Sequence, residues 1–434
     1  MKKPDLDSFF DYVEAGHEMH KFISELYPIC RSITGNGVRQ TLSLIKKRIP
    51  LEIKEVPTGT KVFDWVVPKE WNISDAYVKD PKGKRIIDFK ESNLHVVNYS
   101  VPVRKRVSLG ELMEHLFSIP ERPAWIPYRN SFYKEDWGFC VSHNQLLELS
   151  EEYYEVCIES SLEDGHLTYG EYYLRGDTDE EILISTHICH PSLCNDNLSG
   201  IAIAVSLAQH LSSVSRRYSY RFLFLPTTIG SITWLALNEA RLSNIKHGLV
   251  LACLGDPGIS TYKRSRRGDA EIDKVVEYVL KCSGRGYKIL NFYPFGYDER
   301  QYCSPAFDLP VGCFMRTPNG QFPEYHTSAD NLDFVQPGAL ADSMEKCVKI
   351  FDLLEDNVSY VNQNPKCEPQ LGKRGLYQPL NRKSEPPLEQ LAVLWVLNLA
   401  DGDHSLLDIA LQANVSFEEI NRAAHTLLQA GLIK

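Results

Sequence analysis

The sequence predicts an α/β protein: a mixed sheet flanked by helices, with a small β-rich inserted domain and a helical C-terminal module. Three observations carry this reading. From about residue 131 to 365, short apolar runs alternate with helical stretches, the pattern of a sheet covered by helices. Between 51 and 130 the texture changes to short β-like runs broken by glycine, proline and asparagine. After a stretch at 366–386 rich in proline and charge, residues 387–434 hold three short helical patterns.

Taken in order, residues 1–50 open with two helical stretches, "FFDYVEAGHEMHKFISELYPICRS" and "GVRQTLSLIKKRIP", with apolar residues three and four apart. They belong with the later α/β domain and are joined by the glycine-bearing turn "RSITGNG". The β-rich segment includes "LEIKEVPTGTKVFDWVVP" and "LHVVNYSVPV". The predicted buried strands that follow are "EILIST", "YRFLFLPTT", "HGLVLACLG" and "LPVGCFMRT". Helices are predicted at "SGIAIAVSLAQHLSS", "GSITWLALNEARLS", "DAEIDKVVEYVLKCS" and "PGALADSMEKCVKIFDLLED". In the last module Ser405 and Ser416 stand at N-cap positions, and Glu419 three residues after Ser416 predicts a capping box.

Composition excludes several functions. A chain of 434 residues with 43% apolar and 24% charged residues has material for two or three domains. Its net charge of −10 opposes a nucleic-acid surface as the main business. No apolar run approaches the roughly 20 residues that span a bilayer, and the N-terminus has no apolar signal-peptide core, so a cytoplasmic location is expected. Eleven scattered cysteines with no CxxC pair suit reduced thiols.

The chemistry concentrates in "STHICHPSLCNDNLSG", between a predicted strand and a predicted helix, where open α/β sheets bind ligands. His187, His190 and Asp196 are donor types that suit a divalent metal such as zinc. On the local sequence a loop histidine and a helix N-terminal acid explain His187 and Asp196 equally well. Two further strand ends carry acid/base groups: "FPEYHTSADNLDFV" with Glu324 and His326, and "FGYDERQYCSPAFDLP" with Asp298, Glu299 and Arg300. Cys189 suits a small packed apolar residue better than a nucleophile.

"HICHPSLCNDNLSG", "YDERQYCSPAFDLPV" and "EYHTSADNLDFV" resemble three motif regions of the zinc-dependent aminopeptidases of the di-zinc exopeptidase type. The resemblance implies that family's mixed α/β sheet, with His187, Asp196 and His326 as metal ligands and Asp298 as an acid beside them or beside the substrate. Over nearly the whole chain, "LYPICRSITGNGVRQTL", "GTKVFDWVVPKEWNI" and "HSLLDIA" resemble the aminopeptidase-like proteins associated with bacterial polysaccharide-biosynthesis clusters, which end in a winged helix.

The chain also departs from the family. Thr227 stands where a glutamate is expected, and the position of a further aspartate ligand falls on Ala252 or Cys253, with Asp256 as a substitute. One zinc ion is therefore expected instead of two, with Glu299 and Glu324 as candidate general bases. Arg31, Arg39 and Arg300 are candidate anchors for a substrate carboxylate or phosphate. The expected function is a zinc-dependent hydrolase that attacks an amide of a peptide or small conjugate with metal-activated water. The alternative, resting on Thr227, is a catalytically impaired pseudoenzyme serving as a binding or assembly module. The C-terminal "SFEEINRAAHTLLQAG" has one arginine against two glutamates, which disfavours DNA and favours a protein partner or homo-oligomer contact.

Overall fold

The computed structural model describes residues 10–377 and 387–434. The chain divides into two compact units, the first ending at Lys349 and the second beginning at Ile350.

The first unit is built on an eight-stranded mixed sheet. In chain order its strands are β1 (Glu52–Pro57), β2 (His166–Leu174), β3 (Glu181–His187), β4 (Ser219–Leu225), β5 (Ile245–Leu251), β6 (Ser260–Lys263), β7 (Tyr287–Leu290) and β8 (Val311–Met315). Across the sheet the order is β1-β2-β4-β3-β5-β8-β6-β7. The centre, β4-β3-β5-β8, is parallel; β2 and β6 join it antiparallel, β1 pairs antiparallel with β2, and β7 pairs parallel with β6. Every residue of β3 and β4 is buried, as a parallel sheet covered on both faces requires. That is why these strands read as unbroken apolar runs.

Helices α1 (Tyr12–Leu26), α2 (Asn36–Lys46), α3 (Ser199–Ser212), α4 (Ile229–Asn238), α5 (Glu271–Cys282), the single-turn α6 (Glu299–Tyr302) and most of α7 (Pro337–Asp356), whose last residues belong to the second unit, complete the unit's framework. Asp11 caps α1 by accepting from the amides of Val13 and Glu14. Helix α3 packs across β3, β4 and β5, with α1 against it. It therefore has no polar face, and only its last residues reach solvent.

The insertion differs from the expected span of 51–130. Its four-stranded antiparallel sheet runs Arg85–Asp88, Glu70–Lys79, Tyr153–Glu163, Val103–Ser108, so one of its two central strands lies beyond residue 130. Glu52–Pro57, assigned by sequence to the insertion, is the edge strand of the large sheet. The physical reason is that period-2 alternation identifies a strand without naming its partner. The insertion has its own core, with Val78, Val107, Phe139, Tyr154, Val156 and Ile158 buried together.

In the second unit, α8 (Leu388–Leu399), α9 (Leu406–Ala413) and α10 (Phe417–Gln429) pack on one another. Strand Asp401–Ser405 pairs antiparallel with Ser359–Val361, and Val361 exchanges backbone hydrogen bonds with Lys434. The module thus begins before residue 387, because its sheet recruits a strand from the far side of the expected linker. Of that linker, residues 378–386 lie outside the described residues. The reciprocal capping box falls on Ser405 and Asp408; Ser416 caps α10, but Glu419 turns its carboxylate to Arg422.

Candidate functional site

Strand order creates the site. From β3 the chain crosses through α3 to β4 on one side, then returns past β3 to β5 on the other, so the order reverses between β3 and β5. In open α/β sheets the crevice at the carboxyl ends of such a strand pair is where ligands bind. Asn197 holds this crevice together. Its amide nitrogen donates to the carbonyls of His187 and Leu251 and to Thr186 Oγ1, and its Oδ1 accepts from the amide of Cys253.

His187, the last residue of β3, places Nε2 at 2.9 Å from Asp196 Oδ1. His326 arrives from the loop after β8 in a left-handed turn with φ of 56° and places Nε2 at 2.9 Å from Asp196 Oδ2. His190 Nε2 lies 3.9 Å from that same oxygen. Aromatic rings fix the imidazoles: Tyr297 stacks on His187, Tyr325 on His326, and Tyr128 packs against both His190 and His326.

The loop is clamped from several sides. Asp330 accepts the backbone N–H groups of Asn195 and Asp196. Ser192 donates to the carbonyl of Tyr27, and Arg31 Nε to that of His190. From the insertion, the Tyr128 N–H donates to the carbonyl of His326, and Pro127 bridges to Thr327.

Burial governs the electrostatics. It would by itself raise the Asp196 carboxyl, but His190 and the hydrogen bonds from His187 and His326 outweigh it and hold the carboxyl well below the usual range. Burial pushes His190 down to about 3, which keeps its ring neutral and its lone pair available. Asp330 is pushed up to about 8 by burial, against the two N–H groups that favour its charge. Burial also raises Asp298, opposed by the Ser231 hydroxyl, His187 and the Thr227 hydroxyl.

The fold thus brings His187, Asp196 and His326 together. Asp298 is wholly buried and accepts from the hydroxyls of Thr227 and Ser231, leaving Oδ2 without a hydrogen bond. Thr227 therefore supports a carboxylate delivered by another loop. Glu324 is half-buried in the turn before His326.

Other candidates are corrected. Arg31 is fully buried and gives its guanidinium to the carbonyls of His190 and Leu26, so it pins the loop instead of meeting substrate. Arg39 is committed to Glu70, Asn36 and Thr168. Glu299 is buried in an ion pair with Lys263, whose ammonium also donates to the Phe295 carbonyl, and so is not placed to serve as a base. Asp256 binds Thr317, Gly258 and Asn195, which removes it as a ligand. Arg300 is half-buried, and its Nε has no partner.

Sequence reasoning missed Asn197, Asp330 and the tyrosines at 128, 297 and 325 as the supports of the cluster. Asn197 and Asp330 lie inside the quoted motifs, beside the ligand types. Tyr128 sits in the insertion, where nothing local announces its contact with His326.

The donor set fits a divalent transition metal. Imidazole nitrogens and a carboxylate are the ligands zinc prefers, and donor atoms of His187, His190 and Asp196 all lie within 4.8 Å of one another. Among the described residues the buried Asp196 carboxylate pairs with imidazole nitrogens and with no lysine or arginine, so the charge balance leaves room for a cation.

Comparison with known proteins agrees with the fold. A family described as a domain of unknown function (DUF4910) matches residues 20–357, and a winged helix-turn-helix family matches 358–434. A protein of Clostridium acetobutylicum described as a polysaccharide biosynthesis protein with aminopeptidase-like domain is 56% identical over 421 residues, 97% of each chain. The crystal structure of a peptidase from Clostridium acetobutylicum superposes with a TM-score of 0.91 at 55% identity, covering 98% of this chain and 97% of that one. A zinc aminopeptidase from Bacillus subtilis shares the fold at TM-score 0.57 and 12% identity, covering 79% of this chain and 94% of its own. The chain, with its aminopeptidase-like α/β domain and C-terminal winged helix, therefore belongs to the DUF4910 family.

Proposed function

We propose that the chain is a zinc-dependent aminopeptidase-like hydrolase acting on an amide of a peptide or small conjugate. The observation that carries this is Asp196, whose two carboxylate oxygens each meet an imidazole Nε2 at 2.9 Å, one from His187 and one from His326. These three residues would hold one ion. Once bound, it supplies Lewis acidity for a carbonyl and for water. Asp330 and Asn197 keep the donors in register, which lowers the reorganisation that binding and reaction require. Glu324, two residues before His326, would accept a proton at its carboxylate, and Arg300 would receive a carboxylate or phosphate of the substrate. A conjugated amide of a biosynthetic intermediate suits the description of the Clostridium acetobutylicum relative.

Metal analysis of the purified protein is expected to give about one equivalent of zinc. Aminoacyl anilides and small amide conjugates are expected to be cleaved, and Glu324→Gln to lower kcat about 10²- to 10⁴-fold. Protein that takes up no zinc, or that binds zinc yet leaves every such amide intact, would overturn the proposal.

A further inference from the structure

We propose that a shelf of exposed aromatic rings beside the crevice receives a sugar ring, so that the conjugate whose amide reaches Asp196 carries an uncharged pyranose. The amide end rests on the hydrolase reading above; the shelf does not. It starts at a two-residue turn, Phe63 and Asp64, between the short paired strands Lys61–Val62 and Trp65–Val66. Val62 and Val67 are buried and seat this hairpin on the core, while Phe63 and Trp65 stay 45% and 42% exposed. Tyr133, 53% exposed, meets the Trp65 ring at 5.4 Å, and Phe307, from the loop before β8, meets Phe63 at 5.7 Å.

Two of these rings stand on strained backbone. Phe63 has φ of 56° and Tyr133 φ of 65°, in the left-handed region that bulky residues avoid. The first position of such a hairpin turn is ordinarily a glycine. Neither side chain is buried, so core packing does not account for the strain. The shelf adjoins the crevice. Its hairpin packs against α4, which starts just after Thr227, and Val62, Phe307 and Cys189 share one apolar cluster with Tyr297, the ring stacked on His187. Burial, and after it the Cys189 thiol, raises the Tyr133 hydroxyl, so that end of the ring is turned inward while its face stays open.

An apolar side chain gains most from a closed pocket. A shelf left half in water suits a ring that is apolar on one face and hydroxylated round its rim. A pyranose is such a ring: its C–H face lies on an aromatic face, and its hydroxyls remain hydrated or meet Asp64, the exposed acid of the turn. Lys69, Lys134 and Arg266 are drawn to Glu135, Asp136 and Asp308, so among the described residues the shelf offers no cluster of free cations for a phosphate-bearing ligand.

The test uses full-length protein stripped of metal, probed by saturation-transfer NMR and calorimetry with N-acetylglucosamine and cellotriose, and beside them with uridine monophosphate and N-acetylphenylalanine amide. Millimolar binding of the two sugars through their ring C–H protons, tighter than that of the other two probes, is expected. W65A and Y133A are each expected to lower sugar affinity about three- to tenfold. F63G is expected to lower it too, with a melting temperature unchanged or raised, because glycine accepts the left-handed turn without strain. A ring kept for stability would do the reverse. Sugars that do not bind, or that bind W65A and Y133A as they bind wild type, would overturn the proposal. So would a preference for the nucleotide or the phenylalanine amide, or an F63G protein that melts lower and binds sugar normally. Sugar binding by a protein that takes up no zinc would sink only the hydrolase reading.

Discussion

Arg31 shows how one side chain exchanges an expected role for another. An arginine before a helix reads as an anion receptor, yet its guanidinium sits under the loop that carries His190, with no exposure. Burial brings it down to about 10, still charged at neutral pH. Removing it leaves the carbonyl of His190 without a donor and takes the shorter of two donors from that of Leu26. Arg31→Met is therefore expected to cost about 2–4 kcal/mol by chemical denaturation. A substrate anchor would instead raise KM at unchanged stability.

His247, outside the cluster, gives a pH prediction of definite sign. Burial, assisted by Arg217 and Lys246, holds it at about 3 in the fold, against an ordinary 6.5. Between those values the unfolded chain takes up a proton that the folded chain refuses. Stability contributed by the neutral ring is present above pH 6.5 and is lost as pH falls, at up to about 1.4 kcal/mol per unit. His247→Gln is expected to flatten this acid limb when unfolding free energy is measured from pH 7 to 4. An unchanged slope would refute the assignment.

At the scale of elements, the start of α3 shows what was legible and what was not. The apolar run of β3, the polar loop and the apolar helix after it could all be read from periodicity and composition. The donor types at 187, 196 and 326 were picked out by the likeness of their motifs to those of the di-zinc aminopeptidases. The tightness of the junction could not be read. A Cβ built on Gly200 would come within 2.5 Å of Asn197 Oδ1 and of the Leu251 carbonyl, both inside the clamp between β3 and β5. Gly200→Ala is thus expected to lower stability by about 1–3 kcal/mol and to weaken zinc binding in the same protein. The pairing of Tyr153–Glu163 with Glu70–Lys79 was hidden for a related reason: it joins residues about eighty positions apart, and nothing in either strand names the other.

Over the whole molecule, charge gives an expectation for the last helices of the C-terminal unit. From 387 onward its cations are Arg422 and Lys434, against Glu389, Asp401, Asp403, Asp408, Glu418 and Glu419. Two of those acids lie in the β-strand that pairs with Ser359–Val361, beside the helices a nucleic acid would have to approach. Full-length protein is expected to leave duplex DNA unshifted even at about 50 mM salt, where phosphate contacts are strongest. A salt-sensitive shift would reverse this view. Among the described residues no helix is long and apolar enough to cross a membrane.

The bridge between Pro127 and Thr327, together with the hydrogen bond from the Tyr128 amide to the His326 carbonyl, bears on how this architecture can be edited. An ornament hung on a scaffold by its two ends can be excised and the gap sutured with a short linker. This one has a third stitch, sewn directly into the turn that presents an imidazole to Asp196. A shortened chain made by trimming the insertion away would keep His187, Asp196 and His326 in its sequence and lose the brace that aims one of them.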